Sequence, residues 1–192
     1  MTHCSTGCLT GVGKDVACEP SADAAAVDYG LYGRRTWCSR HDGSWRSVLL
    51  RDLVSVPEVD DAEVPPCHDQ TIVLVVRGGK RIESRAGGRI RRATYGPGTI
   101  ALTAPGTTGR FSWRSQVDAP QRALHLQIPA HTMASAVVDI GAPLRLPNTL
   151  SARDPVLEHV VRALEVAGRA GADDLYAESA AVFLAAHLVS CA

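Results

Sequence analysis

Histidine and cysteine are the residues of this chain best suited to metal or nucleophilic chemistry, and it carries seven of the first and six of the second. Three cysteines, Cys4, Cys8 and Cys18, crowd the N-terminal tail beside His3. Zinc ligands normally come in close pairs held by a fold. This tail is instead rich in Gly, Ser, Ala and Thr, and residues 1–28 read as a flexible leader ending in "SADAAAVD". Farther on, His68 sits beside Asp69 in "CHDQ", and His125 lies in "LHLQ". Metal catalysis needs several imidazoles and a carboxylate around one ion. Two scattered histidines do not supply that, so no catalytic residue, metal or cofactor is assigned. "GGKRIESRAGG" has the glycines of a phosphate loop without its spacing or its following helix, and reads as a pair of hairpin turns. No serine-hydrolase elbow is readable either.

The elements that would position these residues are mostly strands. From Tyr29 to about Asp118, short apolar runs alternate with turn residues. "WRSVLLRDLVSV" is one strand-like run, and "TIVLVVR" (Thr71–Arg77), rich in β-branched residues, is the strongest. Gly78-Gly79, Gly87-Gly88 and Gly96-Pro97-Gly98 mark turns between it, "KRIESRA", "RIRRATY" and "TIALTAPG". "RFSWRS" and "RALHLQIP" follow as further strands. This spacing predicts a β-barrel or sandwich. "AHTMASAVVD" is then a short helix or a loop packed on the barrel mouth, and "LRL" between Pro143 and Pro147 a short extended piece. Asp154 is placed to cap a helix that starts at Pro155 and ends at Gly171. Asp173 or Asp174 caps the last helix. The expected organisation is a leader over 1–28, a barrel over 29–150 and a pair of antiparallel helices over 151–192.

Lysine plus arginine equals aspartate plus glutamate at 20 each, so the chain has no net charge. Nucleic-acid domains usually carry a basic excess, and this chain is not expected to grip DNA by itself. Arg81, Arg85, Arg89, Arg91 and Arg92 read as a solvated sheet face. No apolar run reaches the ~20 residues that cross a bilayer, and the N-terminus lacks the apolar core of a secretory signal. A cytoplasmic location and free thiols are therefore expected.

The stretches "VPPCHDQTIVLVVRGG", "YGPGTIALTAPGTTGRFSWRS", "RALHLQIPAHTMASAV" and "ARDPVLEHVVRALEVA…DDLYAESAAVFLAAHLVS" come in an order that resembles the N-terminal half of AraC-type transcriptional regulators. The resemblance runs from about Trp45 to the last residue and is most specific in the helical part. It implies a cupin-like barrel that senses a small molecule, then a helical pair that dimerises. It also implies a DNA-binding pair of helix-turn-helix units, which this chain does not contain; the final helix resembles the connector to them. Enzymes of the cupin type carry an H-x-H and a later histidine in the matching region. Here Gln70 follows His68 and Asp69, and Gly109 and Arg110 stand at the later position.

Three functions follow as expectations. The first is the regulatory domain of a transcription factor, binding an effector or only a second copy of itself. Its pocket would lie in the barrel, with Val73, Val75, Trp113, His125 and His68 as candidates. Trp113 could equally be plain core, and His68 an exposed residue at a strand entrance. Parity leaves open whether Leu124 and Leu126 or His125 and Gln127 face inward, the leucines being the safer core residues. The second is a metal-dependent cupin enzyme, an isomerase or dioxygenase. The third is a barrel filled by its own side chains. For the helices, Leu157, Val160, Val161 and Leu164 form one apolar stripe and Tyr176, Ala180, Phe183, Leu184 and Leu188 another, which are assigned to a homodimer interface.

Overall fold

A computed structural model describes residues 32–141 and 146–191. The expected leader, with Cys4, Cys8 and Cys18, and Pro143 lie outside the described residues.

Among the described residues ten strands form two antiparallel sheets facing one another. The first has the order β1 (Gly33–Cys38), β2 (Leu49–Ser55), β9 (Arg122–Ile128), β4 (Gln70–Arg77), β7 (Ile100–Thr103), β10 (Thr149–Ala152). The second has β3 (Glu58–Val64), β8 (Gly109–Ser115), β5 (Lys80–Ala86), β6 (Arg89–Tyr95). The described helices are α1 (Ala130–Ile140), α2 (Pro155–Arg169) and α3 (Asp174–Ser190). The architecture is mainly β with C-terminal α, as expected.

The main core lies between the first sheet and the helices. Ile72, Leu74, Leu124, Leu126 and Ile128 pack there with Met133, Leu157, Val161, Leu164, Leu184 and Leu188. A smaller cluster of Val75, Ile82, Tyr95 and Ala101 occupies the space between the sheets. Strand β4 belongs to both: Ile72 and Leu74 face the helices, while Val73 and Val75 face the barrel interior. Burial on both faces is why its sequence is continuously apolar instead of alternating.

Only one of the three glycine turns closes a hairpin between paired strands. Gly87 and Gly88, with φ of 54° and 72°, join β5 to β6, where Ala86 pairs with Arg89. That is the two-residue loop for which positive φ at both positions is required. Gly78-Gly79 and Gly96-Pro97-Gly98 instead carry the chain from one sheet to the other, since β4 does not pair with β5 nor β6 with β7. Gly78 is indispensable at its corner: its φ is 77°, and a Cβ there would stand 2.7 Å from the Gln121 backbone.

The helix layer is tied to the barrel by polar contacts. The Asp174 carboxylate accepts from the backbone N–H groups of Arg46 (2.8 Å) and Ser47 (3.1 Å), and the Trp45 indole donates to the Ala172 carbonyl at 2.7 Å. Buried Asp52 on β2 accepts from Arg122 at 2.8 Å and also from Arg169 on α2, while Glu165 joins both arginines. Asp154 caps α2 as expected, accepting from Val156 and Leu157 at 2.9 and 3.0 Å with Pro155 in the first turn. Asp173 caps α3. Helix α1 packs beside α3 in the helix layer.

Candidate functional site

The parity left open by the sequence is settled by the position of β9 between β2 and β4. Leu124 and Leu126 enter the helix-side core, and Ala123, His125 and Gln127 line a cavity inside the barrel. The cavity measures about 170 Å³. Its apolar walls include Leu53, Val73, Val75, Ile82, Ala123 and Phe111.

Val73, Val75, Trp113 and His125 all line this cavity. His68 does not: it is exposed, outside the lining, although its neighbours Cys67 and Asp69 are part of it. The reason is local. Asp69 is buried and accepts from the Ala130 N–H at 3.3 Å, which fixes the entry to β4 and turns the preceding side chain outward. Cys38, Cys67 and Cys191 carry thiols and no disulfide. Among the described residues no three His, Cys, Asp or Glu side chains are grouped to hold a metal.

Sequence reasoning missed the most polar part of the lining. Lys80, 8% exposed, places Nζ 4.2 Å from the Trp113 ring centre and 3.4 Å from the Ser55 hydroxyl. Trp113 itself is held by its indole N–H donating to the Val56 carbonyl at 3.0 Å, and Tyr95 by its hydroxyl donating to Leu150 at 2.8 Å. Gln121, 4% exposed, lines the same end. Arg51 is also buried and donates to Gln127 at 3.3 Å. The signal that could have flagged Lys80 is compositional: it and Lys14 are the chain's two lysines, every other basic site being arginine.

Burial shapes the electrostatics. It brings the Lys80 ammonium from 10.5 down to about 7. The His125 imidazole falls to about 3 through burial first, then through the charges of Lys80 and Arg51. Burial raises the Tyr95 phenol, against a smaller opposing pull from Arg91. At neutral pH the cavity therefore holds a neutral imidazole and phenol, with one amine close to its titration midpoint.

The expected interface residues divide into two groups. Leu157, Val161, Leu164, Leu184 and Leu188 are buried within the chain's own core, and Val160 and Ala180 pack against it. Tyr176 and Phe183 are exposed, beside Leu175 and Val182 on α3. Beyond its buried core face, α3 exposes Leu175, Tyr176, Val182 and Phe183 together with Glu178 and Ser179. No helix among the described residues is long and apolar enough to cross a membrane.

Neither a protein-family model nor a curated protein matches the sequence. The backbone does have similar solved structures. One is the AraC-like transcriptional activator CuxR, with a TM-score of 0.55 and 15% identity over 79% of this chain and 52% of that one. Another is apo ToxT K231A from Vibrio cholerae, with a TM-score of 0.58 and 14% identity over 78% of this chain and 57% of that one. The chain thus spans a little over half the length of these two proteins, and what it shares with them is an AraC-like fold, a β-barrel with its helices packed on one sheet.

Proposed function

We propose that this chain is the regulatory region of an AraC-type transcriptional regulator, which binds a small-molecule effector in the barrel and pairs with a second copy through its helices. The observation that carries this reading is a lined cavity inside a barrel whose backbone follows CuxR, an AraC-like transcriptional activator, over 79% of the chain. In this reading the ligand is bound and not turned over, and specific DNA contact belongs to a separate helix-turn-helix module. A chain with no net charge is poorly suited to hold phosphate backbones alone. The pairing surface is the exposed strip of α3, Leu175, Tyr176, Val182 and Phe183, since the buried stripes are occupied.

The test is a fusion of this chain to a DNA-binding module that represses its promoter only as a dimer. Repression is expected, and it should change when Ala123→Trp fills the cavity. A fusion no more active than the module alone, with Ala123→Trp indistinguishable, would contradict the proposal.

A further inference from the structure

The cavity is polar at both ends, but the two ends differ. Near the entry to β4 the lining includes Asp69 and Gln127, with Arg51 bound to Gln127. Where β4 gives way to β5, Lys80, Ser55 and Gln121 gather. The Ser55 backbone N–H donates to the Gln121 carbonyl at 2.9 Å, so the serine hydroxyl that faces Lys80 and the glutamine belong to one corner. Among the described residues no carboxylate forms an ion pair with Lys80. The face of Trp113 supports a cation there but leaves other N–H directions open. Gln121 is buried, and both its Nε2 donor and its Oε1 acceptor lack a partner. Buried amide atoms are normally satisfied, so an amide unmet on both sides points to a group that comes from elsewhere.

The unmet groups define their complement. Lys80 calls for an acceptor, best an anionic one. Gln121 calls for one donor and one acceptor. A plain carboxylate would leave Oε1 unmet, and a neutral alcohol would leave the ammonium without a counter-charge. A carboxylate with a hydroxyl on the adjacent carbon satisfies all three. Its body must be apolar, to match Val73, Val75, Ile82 and Phe111. It must also be compact: the cavity is about 170 Å³, and an engineered apolar cavity of about 150 Å³ takes up benzene.

We propose that Lys80, Ser55 and Gln121 form the head-group site of the barrel. The site takes a small hydroxy acid with a compact apolar body, its carboxylate against Lys80 and its hydroxyl against Gln121. The proposal rests on the reading of the barrel as an effector pocket, and names the effector's chemical class.

Binding is then linked to protons. Around Lys80 stand Ser55 and, farther along β2, Arg51; Tyr95 from β6, with Arg91 farther along that strand opposite Ser84; Trp113 from β8; and His125 from β9. Asp69 is at the opposite end of β4. The imidazole and phenol stay neutral through the neutral range, and Lys80 is the member brought to about 7. A hydroxy acid is ionised throughout that range, so affinity falls about tenfold per pH unit once the amine is neutral.

Calorimetric titration of the full chain with mandelate, phenylacetate and phenylethanediol, at about pH 6 and about pH 8.5, tests this. Mandelate is expected to bind about tenfold or more tighter than either analogue at the lower pH, and to lose that advantage over the diol at the higher one. Lys80→Met should abolish the preference for mandelate over the diol, and Gln121→Leu the preference over phenylacetate. The wild-type comparison stands even if a variant fails to fold. If the diol or phenylacetate binds as tightly as mandelate, or affinity is flat with pH, the head-group assignment falls and the effector-pocket reading survives. If none of the three enters, both fall.

Discussion

Lys80 and His125 show how burial decides what an ionisable residue does. Both are bases whose charged form is disfavoured in the cavity, so the unfolded chain binds protons that the folded chain refuses. For Lys80 the window runs from 10.5 down to about 7. Its folded value is depressed, so stability is fully present above the upper limit and declines as pH falls through that window. Lys80→Met is therefore expected to stabilise the chain at neutral pH by a few kcal/mol, and to flatten the rise in stability toward alkaline pH. Urea unfolding across that range checks it; a variant whose curve runs parallel to the wild type contradicts the assignment. His125 acts in a lower window, from 6.5 down to about 3, and its contribution is lost as pH falls through it. At this scale the sequence left open which way His125 faces, while Val73, Val75 and Trp113 were legible in it as candidate lining residues. Lys80 and Gln121 were not, because a lysine or glutamine beside turn residues reads as surface. Only the crossing from β4 to β5 puts them inside.

Elements whose signals are local were read well, and those set by pairing were not. The α2 cap needs only Asp154, Pro155 and the first turn, and it is where the sequence placed it. Burial alone would raise the Asp154 carboxyl, but hydrogen bonds from His187 and from the Leu157 and Val156 N–H groups outweigh it and hold it below the ordinary carboxylate range. Strand β3, "EVDDAEV", carries no apolar run and went unnamed. It is a sheet edge whose acids face arginines of β8, Asp61 with Arg110 at 2.6 Å and Glu58 with Arg114. The Gly78-Gly79 corner reads as a hairpin in the sequence because a turn does not reveal which sheet the next strand joins. In α2, Gly168 admits close contact with two indoles: a Cβ would lie 2.7 Å from Trp37 and 3.0 Å from Trp45. Rigid rings cannot yield cheaply, so Gly168→Val should cost about 1–3 kcal/mol in thermal or urea unfolding, and an unchanged midpoint would show the helix free to shift. Helix surfaces separate just as cleanly. Leu164 is fully buried and Phe183 is 51% exposed. Leu164→Glu should unfold the chain by burying an unpaired charge, whereas Phe183→Glu should keep the circular dichroism of the wild type and abolish dimerisation in sedimentation. A Phe183→Glu dimer would remove α3 from the pairing surface.

Across the whole molecule, the barrel and helices share one sheet as a common wall. Alternate residues of β4 and β9 look into the cavity and into the helix-side core, so anything that shifts His125 or Val73 shifts Leu124 or Ile72 as well. Asp52, Arg122, Glu165 and Arg169 fasten the same wall to α2. Under the proposed function, that arrangement would give a ligand in the barrel a short mechanical route to the helices. The order of elements was legible in the sequence, because apolar runs, glycine turns and helix caps are written locally. The division of the barrel interior was not, since it depends on which face of β9 meets the helices. The central claim is that the barrel interior is a ligand site and not a filled core. Methyl-resolved NMR of the chain titrated with toluene tests it most directly. The account predicts saturable shifts at Val73, Val75 and Ala123, smaller ones at Leu124 and Leu126 across the wall, and none at Val166 on the outer face of α2. Unchanged Val73, Val75 and Ala123 methyls up to the solubility limit of toluene would contradict it.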